Sequence, residues 1–211
     1  MCFEQLERGL ALWREGYGVL LYDLRRHGRS TGEFSSVGYY ERRDVEAAYL
    51  YVRGREPGNG VVLLGVSMGA AATLLAASEI RDEKLLAVVA ESSFLSFADT
   101  ARHHVGLSPL PTFPFAPLLI KFTGWRLNFD PADFDVRRAV SRIDRPIFFV
   151  GAGADRRMPT ETVLEPLYAA ARSPLRRKLV VAGATHGHAF DAAPEEYVRA
   201  VTEFLRAAGG R

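Results

Sequence analysis

Three short stretches of the chain carry side chains that could act on one another. GVSMG (65–69) sets Ser67 between two glycines, GAGADRRMP (151–159) holds Asp155, and GATHGHAF (183–190) offers His186 and His188. A serine hydroxyl is a weak nucleophile until a base takes its proton, and an imidazole serves best when an acid orients it. The bare G-x-S-x-G pattern says little, but its surroundings say more. VVLL leads directly in and the small, apolar run AAATLLAA leads directly out. A strand passing straight into a helix is where such a serine takes a strained turn, its hydroxyl raised and the next N–H, that of Met68, facing the reacting carbonyl. Gly65 and Gly69 are expected at places where a Cβ would clash. The plainer alternative is a serine N-cap beside a tight turn.

The other two stretches also leave choices open. His186 lies nearer the end of the preceding apolar run and is the first candidate for the base, with His188 the second. An H-x-H metal pair would lack an apparent third ligand. Asp155 is the only carboxylate in its turn; its alternative is an exposed turn aspartate paired with Arg156 or Arg157. Glu91, in AVVAESSF, is a competing acid.

Something must bring these groups together, and the apolar runs show how. GYGVLLYD (16–23), VVLLG (61–65), KLLAVVAES (84–92), RPIFFVGAG (145–153) and RKLVVAGA (177–184) read as five buried strands. Helical spacing is expected over 3–15, with Phe3, Leu6, Leu10 and Leu12–Trp13 on the apolar face. It recurs over 39–55 with Val45, Ala48, Tyr49 and Val52, and from the serine to about residue 78. Further helices fall at 160–172 and 194–207, the last with Val198, Val201 and Leu205 on one face. The glycine-, serine- and threonine-rich segment 24–38 reads as a loop. Continuous apolar strands alternating with helices imply a parallel sheet covered on both faces, an α/β fold in which ligands and reactive groups gather at the carboxyl ends of strands. Ser67, Asp155, His186 and Glu91 all follow strands.

One segment breaks the alternation. Residues 99–141 include Pro109, Pro111, Pro114 and Pro117 with Phe113, Phe115, Phe122 and Trp125. That is too much proline for one straight helix, and the segment reads either as a helical or irregular, lid-like insertion over a pocket or as a long packed connection. His103 and His104 within it read as ordinary polar residues.

Composition narrows the remaining classes. The 211 residues are 48% hydrophobic and 25% charged, enough for one sizeable core and unlike a disordered chain. With 27 basic and 25 acidic residues and a net charge of +2, the chain has no electrostatic footprint for nucleic acid. A single cysteine allows no internal disulfide, and no apolar run reaches a membrane span's length, so a cytoplasmic setting without stable membrane association is expected. Glu4, Glu7 and Glu15 stand where a signal peptide would be apolar.

Taken in order, Ser67, Asp155 and His186 resemble the α/β-hydrolase superfamily, in particular its bacterial esterase-like and prolyl-oligopeptidase-like serine hydrolases, over residues 1 to about 207. GYGVLLYDLRRHGRSTG is similar to the family's strand and D-x-R-x-H-G-x-S loop, with Arg26 where glycine is commoner. GVSMGAA is similar to its nucleophile elbow, and GAGADRRMP and GATHGHAF to its acid and histidine loops. The resemblance implies Ser67 as nucleophile, His186 as base, Asp155 as acid and the Met68 N–H as an oxyanion donor. Asp23, Arg25 and His27 would then shape the loop. It implies no metal and no organic cofactor, and the apolar excursion over 99–141 suggests a carboxylic ester or other small acyl substrate. Peptide or amide cleavage, an interfacial lipid enzyme docking through Leu118–Leu119–Ile120, and a catalytically silent binding protein are the alternatives. The family also places three strands and a loop carrying a second oxyanion donor before the first helix seen here. The expectation is therefore an N-terminally truncated sheet, with either Met1 not the true start or the chain a fragment.

Overall fold

The computed structural model describes residues 2–209; Met1 lies outside them. In chain order the elements are α1 (Cys2–Arg14), α2 (Glu41–Arg55), β1 (Val61–Val66), α3 (Met68–Ala77), β2 (Leu85–Glu91), α4 (Phe97–Gly106), α5 (Thr112–Leu127), α6 (Val136–Val140), β3 (Ile147–Ala152), α7 (Glu165–Ala170), β4 (Arg176–Val181), α8 (Ala189–Ala192) and α9 (Pro194–Ala207). A 3₁₀ turn (Pro131–Asp133) precedes α6 and a π-helical turn (Thr160–Leu164) opens into α7. The strands form a parallel sheet ordered β1-β2-β3-β4, so each crossover returns to the adjacent place.

Side chains alternate across the sheet with the two-residue period of a strand. Val88, Ala90, Ile147 and Phe149 enter one core with Val45 and Tyr49 of α2, the whole buried run Ala70–Ala77 of α3, and Phe134. Ala87, Val89, Phe148 and Val150 enter the other, against Tyr197, Val201, Phe204 and Leu205 of α9. Both faces are covered, as the continuous apolar strands require.

Four strands are present among the described residues, one fewer than the sequence suggests. Residues 17–24 form no ladder, and Val19, Leu20 and Tyr22 remain about 40% exposed. A strand exists only with a hydrogen-bonded neighbour, and β1, at the edge of the sheet, makes its ladder with β2 and none with this segment. Side-chain packing holds the segment instead. Tyr17 lies on one core and Leu24 on the other, and Val19 and Leu21 pass under Gly9 of α1, where a Cβ would come within 3.2–3.3 Å of them.

A second difference concerns the face of α1. Leu6, Leu10 and Trp13, the apolar stripe at helical spacing, point outward, whereas Arg8 and Gly9 are buried. An ion pair made by Arg8 and the close approach at Gly9 set the rotation of this helix, and Ala11 and Leu12 follow them inward.

The proline-rich excursion is mainly helical. Phe113 departs from helical backbone, so the regular part of α5 begins after it and Pro117 falls in the first four residues, whose N–H groups have no partner inside a helix. The excursion is tied to its surroundings at both ends. His103 Nε2 lies 2.9 Å from the Arg156 carbonyl, and the Tyr40 hydroxyl donates to the carbonyls of Leu127 and Asn128 at 3.1 and 2.7 Å. Ile120 packs inward rather than joining Leu118 and Leu119 on the outside.

Candidate active site

The site is built where β1 gives way to α3. Ser67 takes φ +54° and ψ −120°, a region a non-glycine residue seldom enters, and its N–H donates to the Glu91 carbonyl at 2.8 Å. Such strain persists where the surroundings over-determine it. Here they do: a Cβ at Gly65 would fall into the backbone of Gly69 and Ala70, so only glycine lets the turn close. Gly69 differs from expectation, because a Cβ there would meet nothing within 4 Å. Met68 opens α3, so its N–H is one of those helical bonding leaves available.

Two other strand ends meet this turn. His186, beyond β4, brings Nε2 to 2.7 Å from Ser67 Oγ, and its Nδ1 lies 2.7 Å from Asp155 Oδ2, beyond β3. Asp155 is buried rather than an exposed turn residue; its Oδ1 accepts the N–H groups of Arg157 and Met158, each at 2.8 Å. Burial alone would push this carboxyl up. The hydrogen bond from His186 and those two N–H groups outweigh it and hold Asp155 below the usual carboxylate range, so it stays ionised.

The remaining candidates lie elsewhere. His188 is 63% exposed and its Nδ1 faces Asp191 Oδ2 at 2.6 Å. Glu91 Oε1 accepts instead from Arg8 Nη2 at 3.1 Å and from the Ala189 N–H at 3.0 Å. Among the described residues no group of three or more His, Cys, Asp or Glu side chains could hold a metal ion. Arg25 forks onto Asp44 of α2, Nε to Oδ2 at 2.9 Å and Nη2 to Oδ1 at 2.7 Å. With Ser30 Oγ on the Asp23 carbonyl and His27 Nδ1 2.8 Å from the Arg25 carbonyl, this fits a shaping role for the loop. Arg26 has φ +64°, which explains why glycine suits that place in similar loops.

A parallel sheet with a strained serine turn after one strand, an acid after a later one and a histidine after the last defines the class of α/β hydrolases. Residues 2–200 match the model of the alpha/beta hydrolase family, and the chain belongs to that family. It is similar to the uncharacterized protein YqkD of Bacillus subtilis, 26% identical over 192 residues, which are 90% of this chain and 62% of that protein. The chain thus spans less than two thirds of that relative's length. Among solved structures it resembles the Pyrococcus furiosus esterase Pf2001 (TM-score 0.74, 25% identity, 95% of this chain and 75% of that one). It also shares the fold of a monoacylglycerol lipase from Paleococcus ferrophilus (TM-score 0.65, 20% identity, 96% and 89% covered) and a bromoperoxidase from Bacillus anthracis (TM-score 0.68, 18% identity, 97% and 87% covered).

Proposed function

We propose that the chain is a serine hydrolase that cleaves a carboxylic ester, or a similar small acyl substrate, through an acyl-enzyme on Ser67. The observation that carries this reading is the unbroken line of two 2.7 Å contacts from Ser67 through His186 to Asp155. The likeness to an esterase at 25% identity supports the ester over other acyl bonds.

In this scheme Ser67 Oγ attacks the carbonyl carbon while His186 Nε2 takes the hydroxyl proton. Asp155 holds Nδ1 and stabilises the imidazolium. The carbonyl electrons move onto oxygen, where the Met68 N–H donates a hydrogen bond to the oxyanion. Collapse breaks the bond to the alkoxide, which leaves as an alcohol with the proton from Nε2. A water then repeats the sequence, giving its proton to His186 and its oxygen to the acyl carbon, and Ser67 is regenerated. No metal or organic cofactor enters these steps.

Two contacts of the excursion near the site support a lid reading. His103 joins it to the residue after Asp155, and at its far end the Phe134 ring packs beside Gly38, next to the Met68 carbonyl. We read α4 and α5 as a lid that shapes the acyl pocket.

A fluorophosphonate probe tests the nucleophile. The native chain is expected to be labelled and Ser67→Ala not, with ester turnover lost in parallel. Equal labelling of the variant, or none of the native chain, would remove Ser67 from this role.

A further inference from the structure

Three groups that the hydrolytic scheme leaves unused converge on the turn carrying His186. Glu91, the last residue of β2, is completely buried, and Arg8 of α1 is 3% exposed. Arg8 Nη2 donates both to Glu91 Oε1, at 3.1 Å, and to the Gly187 carbonyl, at 2.7 Å. The same Glu91 oxygen accepts the Ala189 N–H at 3.0 Å. Ser92, held at φ +50°, accepts the Gly187 N–H on its hydroxyl at 3.2 Å. Glu91 at the end of β2, Ser92 just after it and Arg8 of α1 therefore grip the backbone on the far side of His186. Asp155 and Ser67 engage its ring.

Stability does not account for this arrangement. A buried ion pair surrenders much of its attraction to desolvation, and an apolar pair of similar shape is often as stable or more so. Burial accordingly pushes the Glu91 carboxyl up despite the opposing charge of Arg8. What the pair provides is geometry. The Arg8 guanidinium lies 5.3 and 5.8 Å from the ring centres of Phe190 and Tyr197, so the rings and the carboxylate confine it to one orientation. From there a single nitrogen spans the end of β2 and the histidine turn.

We propose that Arg8 and Glu91 are positioning residues that lock the 186–189 turn, and through it keep the His186 imidazole aligned with both Ser67 and Asp155. The consequence for turnover rests on the hydrolase reading above; the consequence for the imidazole does not.

The test is the double variant Arg8→Met/Glu91→Gln. It removes both charges together and leaves glutamine an oxygen for the Ala189 N–H, so a cooperative fold with a midpoint close to native is expected. Loss of the tie to Gly187 should lower kcat and the rate of fluorophosphonate labelling by about tenfold or more, since small misplacements of catalytic groups have effects of that order. KM for a short ester should change little. The low-field proton signal of the His186–Asp155 hydrogen bond should broaden or vanish. A folded double variant that keeps this signal and the native labelling rate would overturn the proposal. If the double variant does not fold, Arg8→Lys decides by the same two measurements, because it keeps the charge beside Glu91 but loses the planar guanidinium that reaches Gly187 as well. The proton signal reports the ring's placement whether or not Ser67 is acylated. An unlabelled native chain would thus defeat the hydrolase reading while the spectrum alone judged the positioning.

Discussion

At the scale of single residues, the distribution of partners distinguishes groups that look alike in sequence. His186 and His188 stand two apart, yet one bridges Ser67 and Asp155 and the other faces solvent beside Asp191. Asp155 follows β3 and Glu91 ends β2, yet only the first reaches an imidazole. Two substitutions exploit the contrast. Asp155→Asn should leave the fold in place and lower kcat by about 10⁴, because an amide no longer holds the Nδ1–H tautomer. His188→Ala should leave kcat and KM as they are. Steady-state ester kinetics on both variants check the assignment, and a loss in His188→Ala comparable to that in Asp155→Asn would reverse it. The serine, acid and histidine were legible because each follows a strand closely, where chain order alone brings it to the site. Arg8 was not, since an arginine amid glutamates on a short helix reads as a solvated face, and its partner lies 83 residues away.

At the scale of elements, α2 shows how a helix start can serve the site. Its N-cap, Tyr40, offers no side-chain cap, and Glu41 reaches back instead. Glu41 is fully buried and accepts from Ser35 Oγ at 2.8 Å, Ser36 Oγ at 2.5 Å, and the N–H groups of Ser36 and Gly38 at 2.9 and 2.8 Å. A carboxylate at a helix N-terminus also gains from the helix dipole. The folded loop lies against the elbow, with Ser35 Oγ 3.6 Å from Met68 Sδ. Glu41→Ala should destabilise the chain by about 3 kcal/mol, the sum expected for two or three buried donors left unpaired. Glu41→Gln should destabilise it less. Urea unfolding with both variants measures this, and a loss below about 1 kcal/mol for alanine would show that water or a local shift satisfies the donors. Such a box was hard to read in advance because a glutamate in the first helical turn is ordinary. The segment 16–23 misled for the opposite reason. Its residues suit a strand, but strand formation depends on a neighbour that composition cannot report. Four prolines suggest a broken helix, but Pro114 and Pro117 both fall in the first four residues of the regular part of α5, where proline is tolerated.

At the scale of the whole molecule, the buried Asp155 and Glu41 and the partly buried Asp44 titrate in opposition to the buried Glu91. Burial raises Asp155, Glu41 and Asp44, but hydrogen bonds and, for Asp44, the fork of Arg25 outweigh it, so all three lie below the usual range. Each contributes stability that is present above its unfolded pKa and lost as pH falls through the lower folded value. Glu91 is displaced the other way, raised by burial against the pull of Arg8. Its contribution is fully present below its unfolded pKa and is lost as pH rises through the higher folded value, because the unfolded chain releases the proton first. Between neutral pH and the ordinary carboxylate range, about 4 to 4.5, acidification should therefore relieve the cost of keeping Glu91 charged. Below that range the other three should dominate and the fold should weaken. The Arg8→Met/Glu91→Gln variant keeps the lower branch and lacks the upper one, since neither replacement titrates. The stability of the native chain relative to the double variant is thus expected to grow as pH falls from 7 towards 5, and to stay level below about 4, where both lose the same three carboxylates. Urea midpoints for the two proteins from pH 3 to 8 would show it. A difference that is flat throughout would mean that Glu91 keeps an ordinary affinity for its proton inside the fold.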